Sequence, residues 1–108
     1  MVKRTIDPSI MDIVNKYVEI ILQNYKVTAI ILFGSYAKGT YHDDSDIDIA
    51  IITDDLKYKD KFDEELNLMW LRRNIDYRLE PHLINVSDYN NVETPFIKEV
   101  IDTGIQVA

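Results

Sequence analysis

A chain of 108 residues with 46% hydrophobic side chains is expected to form one domain, residues 1–108, around one core. It has no cysteine, which excludes disulfides, thiolate zinc sites and a thiol nucleophile, and its net charge of −7 argues against direct nucleic-acid binding, which depends on Lys and Arg at phosphates. It shows no run of 18 apolar residues and no signal peptide, so the expected setting is cytoplasmic, with no membrane contact.

Asp7-Pro8 reads as an N-cap followed by the first helical residue. Ile10, Ile13, Val14, Tyr17, Val18 and Ile21 then recur at helical spacing, which predicts an amphipathic helix to about Asn24. Val27 to Phe33 is β-branched and aliphatic and too short for a free helix, so it is expected to be a buried strand. Gly34 ends it with a sharp bend, Ser35 to Lys38 form a short helix, and Gly39 breaks that helix.

The second strand is expected from about Asp46 to Thr53. Asp46 and Asp48 share one face, about 6.6 Å apart at Cα, and Ile47, Ile49 and Ile51 point the other way into a core. Asp54-Asp55 cap a helix around Tyr58 to Arg73, in which Phe62, Leu66 and Met69, with Trp70 beside them, are expected to be core. Arg72-Arg73 suit the helix dipole, with a phosphate contact as the alternative.

A third strand is expected to start at Asn74, with Asp76, Arg78 and Glu80 on one face. Pro81 hints at a sheet edge, and His82 and His42 are expected to be structural or surface histidines. Thr94-Pro95 start a last helix whose Phe96, Ile97, Val100 and Ile101 face inward and which Gly104 stops; Ile105 to Val107 add a short strand. The order is therefore α-β-α-β-α-β-α, an α/β (α+β) domain with a small mixed sheet.

The chemistry concentrates between Leu32 and Ile52. Gly34 lets a ligand approach the main chain, and the N–H groups at Ser35 to Lys38 point one way, with Lys38 adding positive charge. Two carboxylates side by side repel each other, and Mg²⁺ relieves that repulsion while using substrate phosphates as further ligands. A phosphate cradle followed by a carboxylate pair is the chemistry of metal-assisted nucleotidyl transfer. If the second and third strands form a right-handed parallel crossover, their starts lie side by side. That arrangement makes Asp76 the expected partner of Asp46 and Asp48, with Glu80 as the alternative.

Gly34-Ser35, ten residues, then Asp46-Ile47-Asp48 resembles the GS-x10-DxD signature of the DNA polymerase β-like nucleotidyltransferases, and the size resembles their minimal branch. The resemblance implies the nucleotidyltransferase fold. It also implies that Gly34, Ser35 and Lys38 hold ATP phosphates, and that Asp46, Asp48 and Asp76 (or Glu80) hold two Mg²⁺ ions. It differs from the usual pattern in having Tyr36 and Lys38 where arginines are common. The implied activity is transfer of AMP from ATP to a hydroxyl of a partner protein, with a small helical HEPN toxin as acceptor and this chain as its antitoxin in a hetero-oligomer. The alternatives are a nucleotide-binding subunit without turnover, and transfer to a small molecule such as an aminoglycoside.

Overall fold

The computed structural model describes residues 6–42, 44–54, 61–91 and 94–108. The expected cap at Asp55 and the expected helix start at Tyr58 lie outside them. Asp7 accepts the N–H of Ser9 and Pro8 follows at the first position, so α1 runs Pro8–Asn24. Its face of Ile10, Val14, Tyr17, Val18 and Ile21 is buried, as the spacing predicts. Then follow β1 (Ala29–Phe33), the short α2 (Ser35–Lys38), β2 (Ile47–Thr53), α3 (Lys61–Leu71), a 3-10 turn (Arg72–Asn74), β3 (Leu79–Asn85), α4 (Val86–Tyr89), α5 (Pro95–Thr103) and β4 (Ile105–Gln106).

The sheet order is β3-β2-β1-β4. β1 runs antiparallel to both β2 and β4, and β2 runs parallel to β3, so the sheet is small and mixed as expected. β3 is an edge strand, which is where Pro81, lacking an N–H, costs no ladder bond on its outer side. Alternation along the strands divides the core. Leu32, Ile47, Ile49, Ile51 and Leu79 join α1 on one face. Phe33, Ala50, Ile52 and Ile84 join Ile97 and Val100 of α5 on the other. Thr94 caps α5 by accepting the N–H of Ile97, and α5 ends before Gly104. An added Cβ at Gly104 would meet the Val100 carbonyl and Ile31.

Three expectations are corrected. First, Phe62, Leu66, Met69 and Trp70 are not core: they are 72%, 50%, 41% and 62% exposed. α3 turns Leu68 inward instead, where the buried Tyr17 hydroxyl donates to the Leu68 carbonyl at 2.6 Å. Leu71 is the second inward contact, so a single row of the helix meets the sheet. Second, Phe96 and Ile101 are 39% and 42% exposed rather than inward, leaving Ile97 and Val100 as the anchors of α5. Third, β3 begins at Leu79 and not at Asn74, because residues 72–74 tighten into the 3-10 turn and the chain turns again before the strand.

Candidate active site

β1 and β2 place the bend and the acids together. In the antiparallel register Phe33 lies opposite Asp48, so the residue after Phe33 passes directly over the Asp48 carboxylate. Gly34 makes that passage with φ +79 and ψ −150, a conformation open in practice only to glycine. A Cβ there would sit 2.6 Å from Asp48 Oδ2. Gly34 therefore has two reasons to be glycine, one torsional and one steric. Its N–H donates to Thr103 Oγ1 at 3.1 Å, and the Thr103 hydroxyl donates to the Glu99 carbonyl, which fastens the bend to α5. Ser35 starts α2 and is half-buried. Lys38 is half-exposed at the far end of α2, with its Nζ 3.9 Å from Glu99 Oε1.

The parallel register decides which acid of the third strand approaches. Asp48 lies opposite Glu80, and Ala50 opposite His82. Asp76 lies before the strand begins, and its carboxylate is engaged by Arg78. Its Oδ1 accepts the N–H and Nε of Arg78 at 2.8 and 3.1 Å, and its Oδ2 accepts Nη2 at 2.9 Å. Of the two candidates on this segment, Glu80 is the one beside the aspartate pair. Sequence reasoning gave Asp76 that position because it started the strand too early.

Glu80 has its pKa raised, first by a hydrogen bond shared with Asp46, then by partial burial and the charge of Asp46, with Asp48 adding less. Three carboxylates thus crowd one corner at the C-terminal end of β1. Asp48 Oδ1 also lies 3.1 Å from His82 Nε2. The His82 ring packs edge-on against Phe33 and tilted against Phe96, with centroids 5.2 and 5.4 Å away. Sequence reading had left His82 as a bystander. The available signal was its place two residues after Glu80, which puts both on one face of the strand.

Asp76 and Arg78 form a separate ion pair. The Arg78 guanidinium donates to the Tyr36 hydroxyl at 3.1 Å, and Tyr36 donates to the His42 carbonyl at 3.3 Å. Tyr36 is buried and stacks on Tyr41, centroids 4.4 Å apart. This brace joins the approach to β3, the helix α2 and the loop that leads to Asp46. The Arg78 partner holds the Asp76 carboxyl below its ordinary value, chiefly through the side-chain hydrogen bond. Between that lowered value and the unfolded 3.8 the native chain binds fewer protons than the unfolded one, so stability rises with pH there. The contribution is complete above that window and is lost as pH falls through it. Asp76→Asn is expected to cost about 1–2 kcal/mol at pH 7, with the gap to wild type closing toward pH 3. Urea unfolding across pH 3–7 checks this, and a constant gap contradicts it.

The donor set fits a hard divalent cation. Asp46, Asp48 and Glu80 supply only oxygen, and their mutual repulsion is what such an ion relieves. No three His, Asp or Glu side chains among the described residues are already gathered as a metal shell. Mg²⁺ needs only one or two carboxylates from the protein and completes its octahedron with substrate phosphates and water.

The profile of the family described as "Polymerase beta, Nucleotidyltransferase" matches residues 15–108. The chain belongs to the polymerase beta nucleotidyltransferase family. It is a nucleotidyltransferase whose fold agrees with solved members. A Sulfolobus solfataricus protein assigned to the nucleotidyltransferases superposes with a TM-score of 0.62 at 22% identity, covering 91% of this chain and 80% of that one. An antitoxin–toxin complex solved with AMP-PNP superposes with a TM-score of 0.59 at 27% identity, covering 87% and 71%. Among sequence relatives, a Methanocaldococcus jannaschii protein provisionally named a protein adenylyltransferase is 35% identical over 97 residues, 89% of this chain and 91% of its own length. A second from the same organism, with the same provisional name, is 35% identical over 86 residues, 76% and 80% of the two lengths. Within this nucleotidyltransferase no described helix is long and apolar enough to cross a membrane.

Proposed function

We propose that this nucleotidyltransferase moves AMP from Mg-ATP to a hydroxyl of a partner protein, releasing pyrophosphate. The observation that carries this reading is the corner where Asp48, Glu80 and the Gly34 bend converge: the bend passes within one Cβ of the Asp48 carboxylate, and the strand register sets Glu80 beside it. A triphosphate lying along the bend would have its phosphates next to all three acids.

Gly34 and Ser35 would line the phosphates, and Lys38 would offset their charge. Asp46, Asp48 and Glu80 would hold two Mg²⁺ ions, which when bound neutralise the phosphate charge and polarise the phosphorus under attack. The acceptor oxygen forms a bond to the α-phosphorus as the bond to pyrophosphate breaks, and Glu80 takes the hydroxyl proton. His82 and Thr103 hold Asp48 and the bend in position. The rest of the rate comes from positioning and charge neutralisation.

A protein acceptor is favoured by the relatives named as protein adenylyltransferases and by the structural neighbours that are toxin–antitoxin complexes. We take the acceptor to be a small helical HEPN toxin and this chain to be its antitoxin, acting as a hetero-oligomer in the cytoplasm. The test is incubation with labelled ATP, Mg²⁺ and a purified HEPN-type candidate partner, with Asp46→Ala/Asp48→Ala as control. Label on that protein, lost in the control, is expected. Nucleotide binding without transfer would instead make the chain a non-catalytic subunit, and label on a small-molecule acceptor alone would discard the protein-acceptor reading.

A further inference from the structure

The site leaves one part of the molecule unexplained. α3 carries its largest apolar side chains outward, and Phe62, Leu66, Met69 and Trp70 are 72%, 50%, 41% and 62% exposed. With Arg73 just past the helix end, Phe62, Leu66, Met69 and Arg73 recur at spacings of four, three and four. Phe62, Leu66 and Met69 thus form a short apolar stripe on the outer side of α3, which a second amphipathic helix would cover.

We propose that the second helix is α3 of another copy of this chain, packed antiparallel across a two-fold axis. The charge along the helix selects this occupant. The N-terminal half of the helix carries Lys61 against Asp63, Glu64 and Glu65 and is acidic on balance, and Arg72 and Arg73 follow its C-terminal end. A helix that is acidic at one end and basic at the other complements itself when the second copy is reversed, and repels itself when parallel. Setting Leu66 on Met69 of the second copy brings Phe62 onto Arg73 of that copy and Asp63 beside the same guanidinium. Arg73 is already laid over the Trp70 ring, 4.1 Å from its centroid, so the two present one flat surface.

The position on the fold agrees. α3 anchors through Leu68 to the face of the sheet covered by α1, whereas Asp48 lies on the opposite face, with Ala50 and Ile52. A dimer built on α3 therefore packs on the sheet face opposite the one that carries Asp48. Side chains confined to one short helix make a small interface, so the dimer is expected to be weak and to form only at high protein concentration.

The chain reports on this interface directly, because Trp70 is its only tryptophan. Sedimentation of the unmodified protein from about 1 to 500 μM is expected to move from the 12.6 kDa monomer to twice that mass. Over the same range Trp70 emission shifts to the blue and its quenching by iodide falls. Leu66→Lys is expected to remain monomeric throughout. Arg73→Glu, a fully surface change, weakens association about tenfold or more, and adding Asp63→Lys to it recovers most of the loss by exchanging the two charges. A monomer with a quenchable Trp70 at every concentration overturns the proposal. So does a dimer that Leu66→Lys leaves intact. Neither result touches the transfer activity, which is measured separately at dilute enzyme.

Discussion

Replacing Gly34 by alanine is expected to abolish nucleotidyl transfer and to weaken the fold by about 2–4 kcal/mol. Two costs add. The backbone at φ +79 and ψ −150 lies where residues with a Cβ are strained by about 1–3 kcal/mol. The new methyl would also stand 2.6 Å from Asp48 Oδ2, well inside contact distance. Asp48 has to rotate or the bend has to lift, and either movement takes the carboxylate away from the phosphate path. Thr103 and the start of α2 hold the bend from both sides, so the strain has little room to relax. Chemical denaturation and a transfer assay on Gly34→Ala check both parts. As the contrast, Gly39→Ala pays only a torsional cost, since Gly39 has φ +82 but nothing within 4 Å of the added Cβ. If Gly34→Ala keeps wild-type transfer, the bend does not carry phosphate.

The second large effect separates two acids four residues apart. Glu80→Gln is expected to lower transfer by about 100- to 1,000-fold, while Asp76→Asn lowers it only a few-fold through the Tyr36 brace. The stability changes run the opposite way. Glu80 has its pKa raised, so between its unfolded 4.5 and the folded value the native chain binds more protons, and stability falls as pH rises. Gln removes that repulsion, so Glu80→Gln is expected to melt a few degrees higher at pH 7, whereas Asp76→Asn melts lower. An active Glu80→Gln enzyme beside an inactive Asp76→Asn one, both folded, would return the third carboxylate to Asp76.

The two substitutions also show where sequence reasoning held and where it stopped. Alternation from Asp46 to Ile52 correctly assigned the faces of β2, because side-chain period in a strand follows from the backbone alone. Asp7 and Thr94 marked their helix starts because a capping side chain bonds within its own few residues. The same local logic failed on the segment from Asn74 to Leu79. A bidentate Asp76–Arg78 contact and a 3-10 turn hold it out of the sheet, and neither leaves a periodic trace. It failed again on α3, where two apolar rows compete and the less continuous one, Leu68 and Leu71, faces the sheet.

What the chain's order of residues settled was the set of parts: the glycine bend, the aspartate pair, the first and last helices with their caps at Asp7 and Thr94, and the family to which they belong. The folded structure alone decided how far β3 slides along β2, and hence that Glu80 stands beside Asp48. It also decided which side of α3 stays in water. Periodicity states which residues share a face, but the offset between two strands and the rotation of a helix are fixed by contacts between segments distant in the chain, through packing and ion pairs that no local pattern encodes.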